Sequence, residues 1–150
     1  MNAMIKKCLL TLTSAAALSV ATVPAVSARS VGGAAGDAQN LTVANCFSRV
    51  NGTVSSSCGS GFIAPYEVQL EVDTAGTKSV SFTGKNGVGC SANALSSTDT
   101  SFSSSGTLAA PGATLTNVPL SGVTVLGSGK LWLRCDFPVN GAVAEVNWNQ

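Results

Sequence analysis

Four of the five cysteines, Cys46, Cys58, Cys90 and Cys135, carry the most definite chemistry in this chain. Structural zinc sites draw their ligands from closely spaced pairs, and these cysteines are far apart in sequence. No Cys-x-x-Cys redox pair occurs. Two disulfides are the expected outcome, and four cysteines allow three pairings. A three-residue loop at Asn51-Gly52-Thr53 would set Val50 against Val54 and Cys46 against Cys58, which favours Cys46–Cys58 and Cys90–Cys135. In the loop-entropy model these closures are worth about 3 and about 4 kcal/mol.

Other chemistries lack their parts. The sequence contains no histidine, which removes Ser-His-Asp and Cys-His catalysis and every imidazole metal site. A Ser–Lys dyad needs a desolvated lysine. Lys78, Lys85 and Lys130 each lie beside a predicted turn, where they are expected to stay hydrated and charged. Glu67 and Glu71 share a strand face but stand about 13 Å apart along it, beyond the carboxylate spacing of glycoside hydrolysis. No calcium-loop spacing and no nucleophile elbow is present. The expectation is a protein without catalytic residues, metal or cofactor, with an atypical hydrolase as the remaining enzymatic alternative.

Disulfides require an oxidising destination, and the first 28 residues supply an address. Lys6 and Lys7 form a positive n-region, an apolar run follows from Cys8 to Val23, and Val26-Ser27-Ala28 places small residues at a cleavage site. The run is shorter than the roughly 20 residues that cross a bilayer. A secreted or periplasmic protein cleaved after Ala28 is expected. Six basic side chains then face seven acidic ones, a net charge of −1. Binding to a phosphate backbone draws on clustered Lys and Arg, so neither nucleic acid nor stable membrane insertion is expected.

The elements that must hold the cysteines are strands. Residues 29–40, centred on Gly32-Gly33-Ala34-Ala35-Gly36, have the composition of a flexible leader. From residue 41 to 150 short period-two runs alternate with Gly, Asn, Pro and Ser clusters, which predicts a single all-β domain. Tyr66, Val68, Leu70 and Val72 fall on one strand face, with Glu67, Gln69 and Glu71 on the other. A turn at Ala75-Gly76-Thr77 would pair Val72 with Val80. Leu131, Leu133, Cys135 and Phe137 share one parity, as do Ala142, Ala144, Val146 and Trp148. Asn140-Gly141 between them predicts a type I′ hairpin pairing Cys135 with Val146. Gly127-Ser128-Gly129 would close another, pairing Val125 with Leu131. Residues 88–95 and 113–118 are further strands, and the Ser/Thr tract 96–106 is a loop or a solvated edge strand. About seven to nine short strands make a small antiparallel β-sandwich, Ig-like or similar. The Cys…Trp…Cys order of antibody domains is missing.

These registers would gather Thr124, Lys130, Trp132, Arg134, Asn147 and Asn149 on one outward face. An aromatic ring beside Arg and Asn suits a carbohydrate, whose C–H face covers the ring while planar side chains bind hydroxyls. It equally suits a protein contact, where Trp and Arg are enriched. The expected function is that of an exported, non-enzymatic binding module acting through its surface on a protein or glycan partner. The alternative is a structural subunit. Low charge, few aromatics and Ala/Gly/Ser/Thr/Val-rich strands are similar in composition to pilin subunits, and residues 29–45 would then be an exchangeable strand. Monomer and pilin-like oligomer are both open at this point.

Overall fold

A computed structural model describes residues 28–59 and 63–149. The expected signal segment, apart from Ala28, lies outside them. The elements in chain order are β1 (Ala28–Gly32), a 3-10 turn (Gly33–Ala35), β2 (Asp37–Ala38), the single-turn helix α1 (Leu41–Ala44), β3 (Phe47–Val50), β4 (Thr53–Ser56) and β5 (Ala64–Leu70). There follow β6 (Gly76–Lys78), β7 (Val80–Lys85), β8 (Gly89–Leu95), β9 (Phe102–Ser104) and β10 (Leu108–Ala109). The last four are β11 (Thr116–Pro119), β12 (Val123–Val125), β13 (Lys130–Phe137) and β14 (Ala142–Asn149).

The strands form an all-β sandwich. One six-stranded sheet, here the front sheet, runs β10-β8-β13-β5-β2 with β9 also paired to β8. The other, the back sheet, runs β11-β7-β14-β4-β3 with β1 also paired to β14. A small ribbon pairs β12 with β6. The period-two pattern fixes which face is inside: Tyr66, Val68 and Leu70 on β5 and Leu131, Leu133, Cys135 and Phe137 on β13 are buried. Phe82, Val146 and Trp148 meet them from the back sheet. A bulge between Val143 and Glu145 makes Val143 an inward residue and leaves Ala144 only partly buried, against the simple alternation expected for β14.

The expected hairpins are corrected in one consistent way. β13 and β14 do not pair, because both edges of β13 are taken by β5 and β8, while β14 pairs with β7, β1 and β4. The chain crosses from one sheet to the other at residues 138–141. The turn is tied to β4 instead: Asn140 donates to the Ser56 carbonyl, and the Ser56 N–H to Gly141. Likewise β5 and β7 lie in opposite sheets, and β12 pairs with β6 rather than β13. Two strands with matched apolar parity bury their faces equally well side by side or face to face across a sandwich. Only the competition for edges separates the two. At Asn51-Gly52 the hairpin is real, but its loop has two residues, both at positive φ, so Val50 faces Thr53 rather than Val54. Disulfides join Cys46 to Cys58 and Cys90 to Cys135.

Residues 29–40, expected as a flexible leader, are built into both sheets. β1 pairs along β14, and β2 pairs with β5. Arg29 meets the carboxylates of Glu71 at 3.3 Å and Asp73 at 2.5 Å. Lys78 also departs from expectation: it points inward, is 2% exposed, and its amine donates to the Thr74 hydroxyl at 2.8 Å. Its place opposite Val123 in the β6–β12 ribbon covers it, whereas a free turn would have left it wet.

A polar lock closes the other end of the leader. The buried Tyr66 hydroxyl donates to the Gly36 carbonyl and accepts from Arg49 Nε at 3.2 Å, while Arg49 also reaches Asp37. Burial pushes the Tyr66 phenol above its ordinary value, and Arg49 offsets only part of that. Tyr66 is the one tyrosine in the sequence, so phenolate absorbance reports it alone. In the unfolded chain the absorbance should rise near the usual value of about 10, and in the native protein only above it. Folding favours the neutral phenol, so this group's contribution to stability is intact below about pH 10 and is lost as pH rises further. A native titration coinciding with that of the unfolded chain would contradict the burial.

Candidate ligand-binding face

The outward residues of the front sheet form rows across its strands. Antiparallel register sets Trp132 between Gln69 on β5 and Asn93 on β8, with Ser104 of β9 beyond. The row on one side is Lys130, Leu95 and Phe102, and that on the other is Glu67, Arg134 and Ser91. Such neighbours lie about 5 Å apart, near enough to act on one ligand.

The local chain explains why an aromatic pair stands here. Outside the alternation of Leu131, Leu133 and Cys135, Trp132 must face out, and it is half buried there. The Ser/Thr tract turns back through Asp99 at positive φ, with the Ser96 hydroxyl accepting from the N–H groups of Thr100 and Ser101. β9 then lands on the edge of β8 and brings Phe102 to the tryptophan. The ring centroids are 6.2 Å apart with planes tilted by 50°, and Phe102 is 64% exposed. Asn93 is held in place by its own amide, which donates to the Ser91 carbonyl and hydroxyl. Arg134 lies 3.9 Å from Asp136, an exposed pair that leaves the guanidinium accessible.

Of the six residues expected on one face, the structure brings together Trp132, Arg134 and Lys130. Asn147 and Asn149 lie on the outer face of the back sheet, because β14 belongs to that sheet. There they line a shallow cleft of about 400 Å³ with Ser81 and Asn117. Thr124 pairs with Thr77, and its N–H donates to the Ser103 hydroxyl, so it supports β9 from beside the face. Gln69, Asn93 and Phe102 are the members that sequence reasoning missed. Phe102 had one signal: it is the lone large apolar residue in a Ser/Thr tract.

The chemistry on offer is stacking and hydrogen bonding. Among the described residues no group of three Cys, Asp or Glu side chains could hold a metal ion, and no helix is long and apolar enough to cross a membrane. No family model matches the chain, and no curated protein does. Among solved structures, the C-terminal CBM6 of LamC, a marine laminarinase from Zobellia galactanivorans, superposes with a TM-score of 0.52 at 11% identity, covering 83% of this chain and 100% of that one. The likeness is one of fold. A carbohydrate binding module from Cellvibrio mixtus lichenase 5A, solved with cellotriose, gives a TM-score of 0.41 at 14% identity over 65% of this chain and 76% of that one.

Proposed function

We propose that this chain is an exported, non-enzymatic glycan-binding module whose sugar-contacting surface is the outer face of the front sheet around Trp132 and Phe102. The observation that carries the reading is the tilted ring pair set in a row of neutral amides. The exposed Gln69 flanks Trp132 on one side and Asn93, 6% exposed and bonded to Ser91, backs it on the other, with Arg134 in the next row. Aromatic faces cover the C–H patches of a sugar ring, and amides and guanidinium match its hydroxyls as donors and acceptors. A protein interface of comparable strength would want a broader apolar core at its centre. The sandwich of the Zobellia domain, itself a CBM6, is a scaffold compatible with this role. Paired cysteines support export to an oxidising compartment.

A glycan array probed with the disulfide-bonded protein tests the reading. Trp132→Ala should weaken retention by about thirtyfold, the scale of a Trp hot spot of about 2 kcal/mol. Phe102→Ala should do so by less. Undiminished retention of the Trp132→Ala variant on a glycan that the unaltered protein holds would refute the assignment. Capture of a protein but no glycan at this face would support the partner-protein alternative.

A further inference from the structure

We infer that a second cleft, on the outer face of the back sheet, binds a carboxylate-bearing sugar such as a uronate. This goes beyond the reading of the Trp132 face and does not depend on it. The site follows from strand register. Ser55 on β4 and Lys85 on β7 both pair with Ala142 on β14, so an ammonium and a hydroxyl flank the smallest side chain of the row. The low floor at Ala142 makes a cleft of about 400 Å³, walled by Thr53, Ser57, Asn140 and Leu115.

Its charge is what selects the ligand. Arg29, Arg49 and Arg134 each face a carboxylate, Lys78 is buried against Thr74, and Lys130 is exposed on β13 of the front sheet. Among the described residues, Lys85 shares the cleft with hydroxyls and amides, and no acidic side chain lines it. An ammonium at the wall of a partly enclosed neutral site attracts an anion more strongly than one in open water. The surrounding hydroxyls and the Asn140 amide both donate and accept, which suits vicinal sugar hydroxyls. Leu115, 48% exposed, offers the apolar contact that a sugar ring needs on one side. A phosphate would ask for an arginine fork or a nest of backbone N–H groups, and among the described residues the cleft provides a single cation. The volume is at the lower end of the range for small-molecule sites, about 300–1,000 Å³, and fits one or two sugar units.

Titrating the isotope-labelled, disulfide-bonded protein with sodium glucuronate at low salt, followed by amide chemical shifts, tests the proposal. Saturable shifts are expected at Ser55, Lys85 and Asn140. Methyl glucoside should bind about fivefold more weakly, and Lys85→Gln should weaken glucuronate by about the same factor, the scale of a partly exposed ion pair. Added salt should weaken glucuronate and leave methyl glucoside unchanged. Shifts that are absent or centred elsewhere, or an unchanged affinity in Lys85→Gln, would overturn the proposal. So would sodium sulfate displacing glucuronate at equal concentration, which would mark a bare anion contact rather than a sugar site.

Discussion

Replacing Cys90 and Cys135 together by alanine is expected to lower stability by about 4 kcal/mol, a large part of the roughly 5–15 kcal/mol that holds a domain of this kind together. The two residues are direct cross-strand partners on β8 and β13, with Cα atoms 4.1 Å apart and both side chains buried. Their bond closes a loop of 45 residues in sequence, and within it lie β9, β10, β11 and β12. Without it the unfolded chain regains the freedom of that whole segment, and the core loses two sulfur atoms next to Phe137 and Leu133. Removing Cys46 and Cys58 releases a loop of only 12 residues in sequence and should cost about 3 kcal/mol in the same model. Denaturant unfolding of both double variants checks the order. Equal losses below 1 kcal/mol would mean that the cross-links do not constrain the unfolded chain as argued.

Gly33→Ala should cost about 3 kcal/mol, the upper end of ordinary overpacking. A Cβ at Gly33 would overlap the Val143 carbonyl oxygen and carbon, which are backbone atoms of the central strand β14 and have no rotamer by which to yield. Gly33 is buried in the turn that hands the chain from β1 in the back sheet to β2 in the front sheet. Relieving the overlap would therefore loosen β1 from β14, together with the Arg29 contacts to Glu71 and Asp73. Gly59→Ala is the control: among the described residues its Cβ would meet nothing within 4 Å. Thermal unfolding in which the two variants behave alike would contradict the fitted packing of this segment.

These glycines also show where the sequence was legible and where it was not. Period-two alternation assigned inside and outside for β5 and β13 residue by residue, because a pleated strand leaves no other choice. It said nothing of which strand pairs with which. The parity of Leu133 and Val146 is the same whether they sit side by side or meet across the core. That ambiguity turned the Asn140-Gly141 crossing into a hairpin and placed Asn147 and Asn149 beside Trp132, when they stand on the opposite outer face. Gly33 and Gly36 were legible only as small residues. Composition does not distinguish a glycine that confers freedom from one that permits close approach, and here both lie against backbone carbonyls, of Val143 and Glu67. Phe102 was hidden for a third reason. Its position depends on the Ser96 hydroxyl capping the turn that folds the polar tract back onto β8, a contact with no periodic signature.

The most direct test of the proposed function maps where a glycan touches the protein. Amide and side-chain shifts of the isotope-labelled protein, followed during titration with a neutral glycan that the array retains, should change first at Trp132, Phe102, Asn93 and Gln69. Shifts confined to the outer face of the back sheet or to the loops at either end, with the Trp132 indole unmoved, would contradict the account.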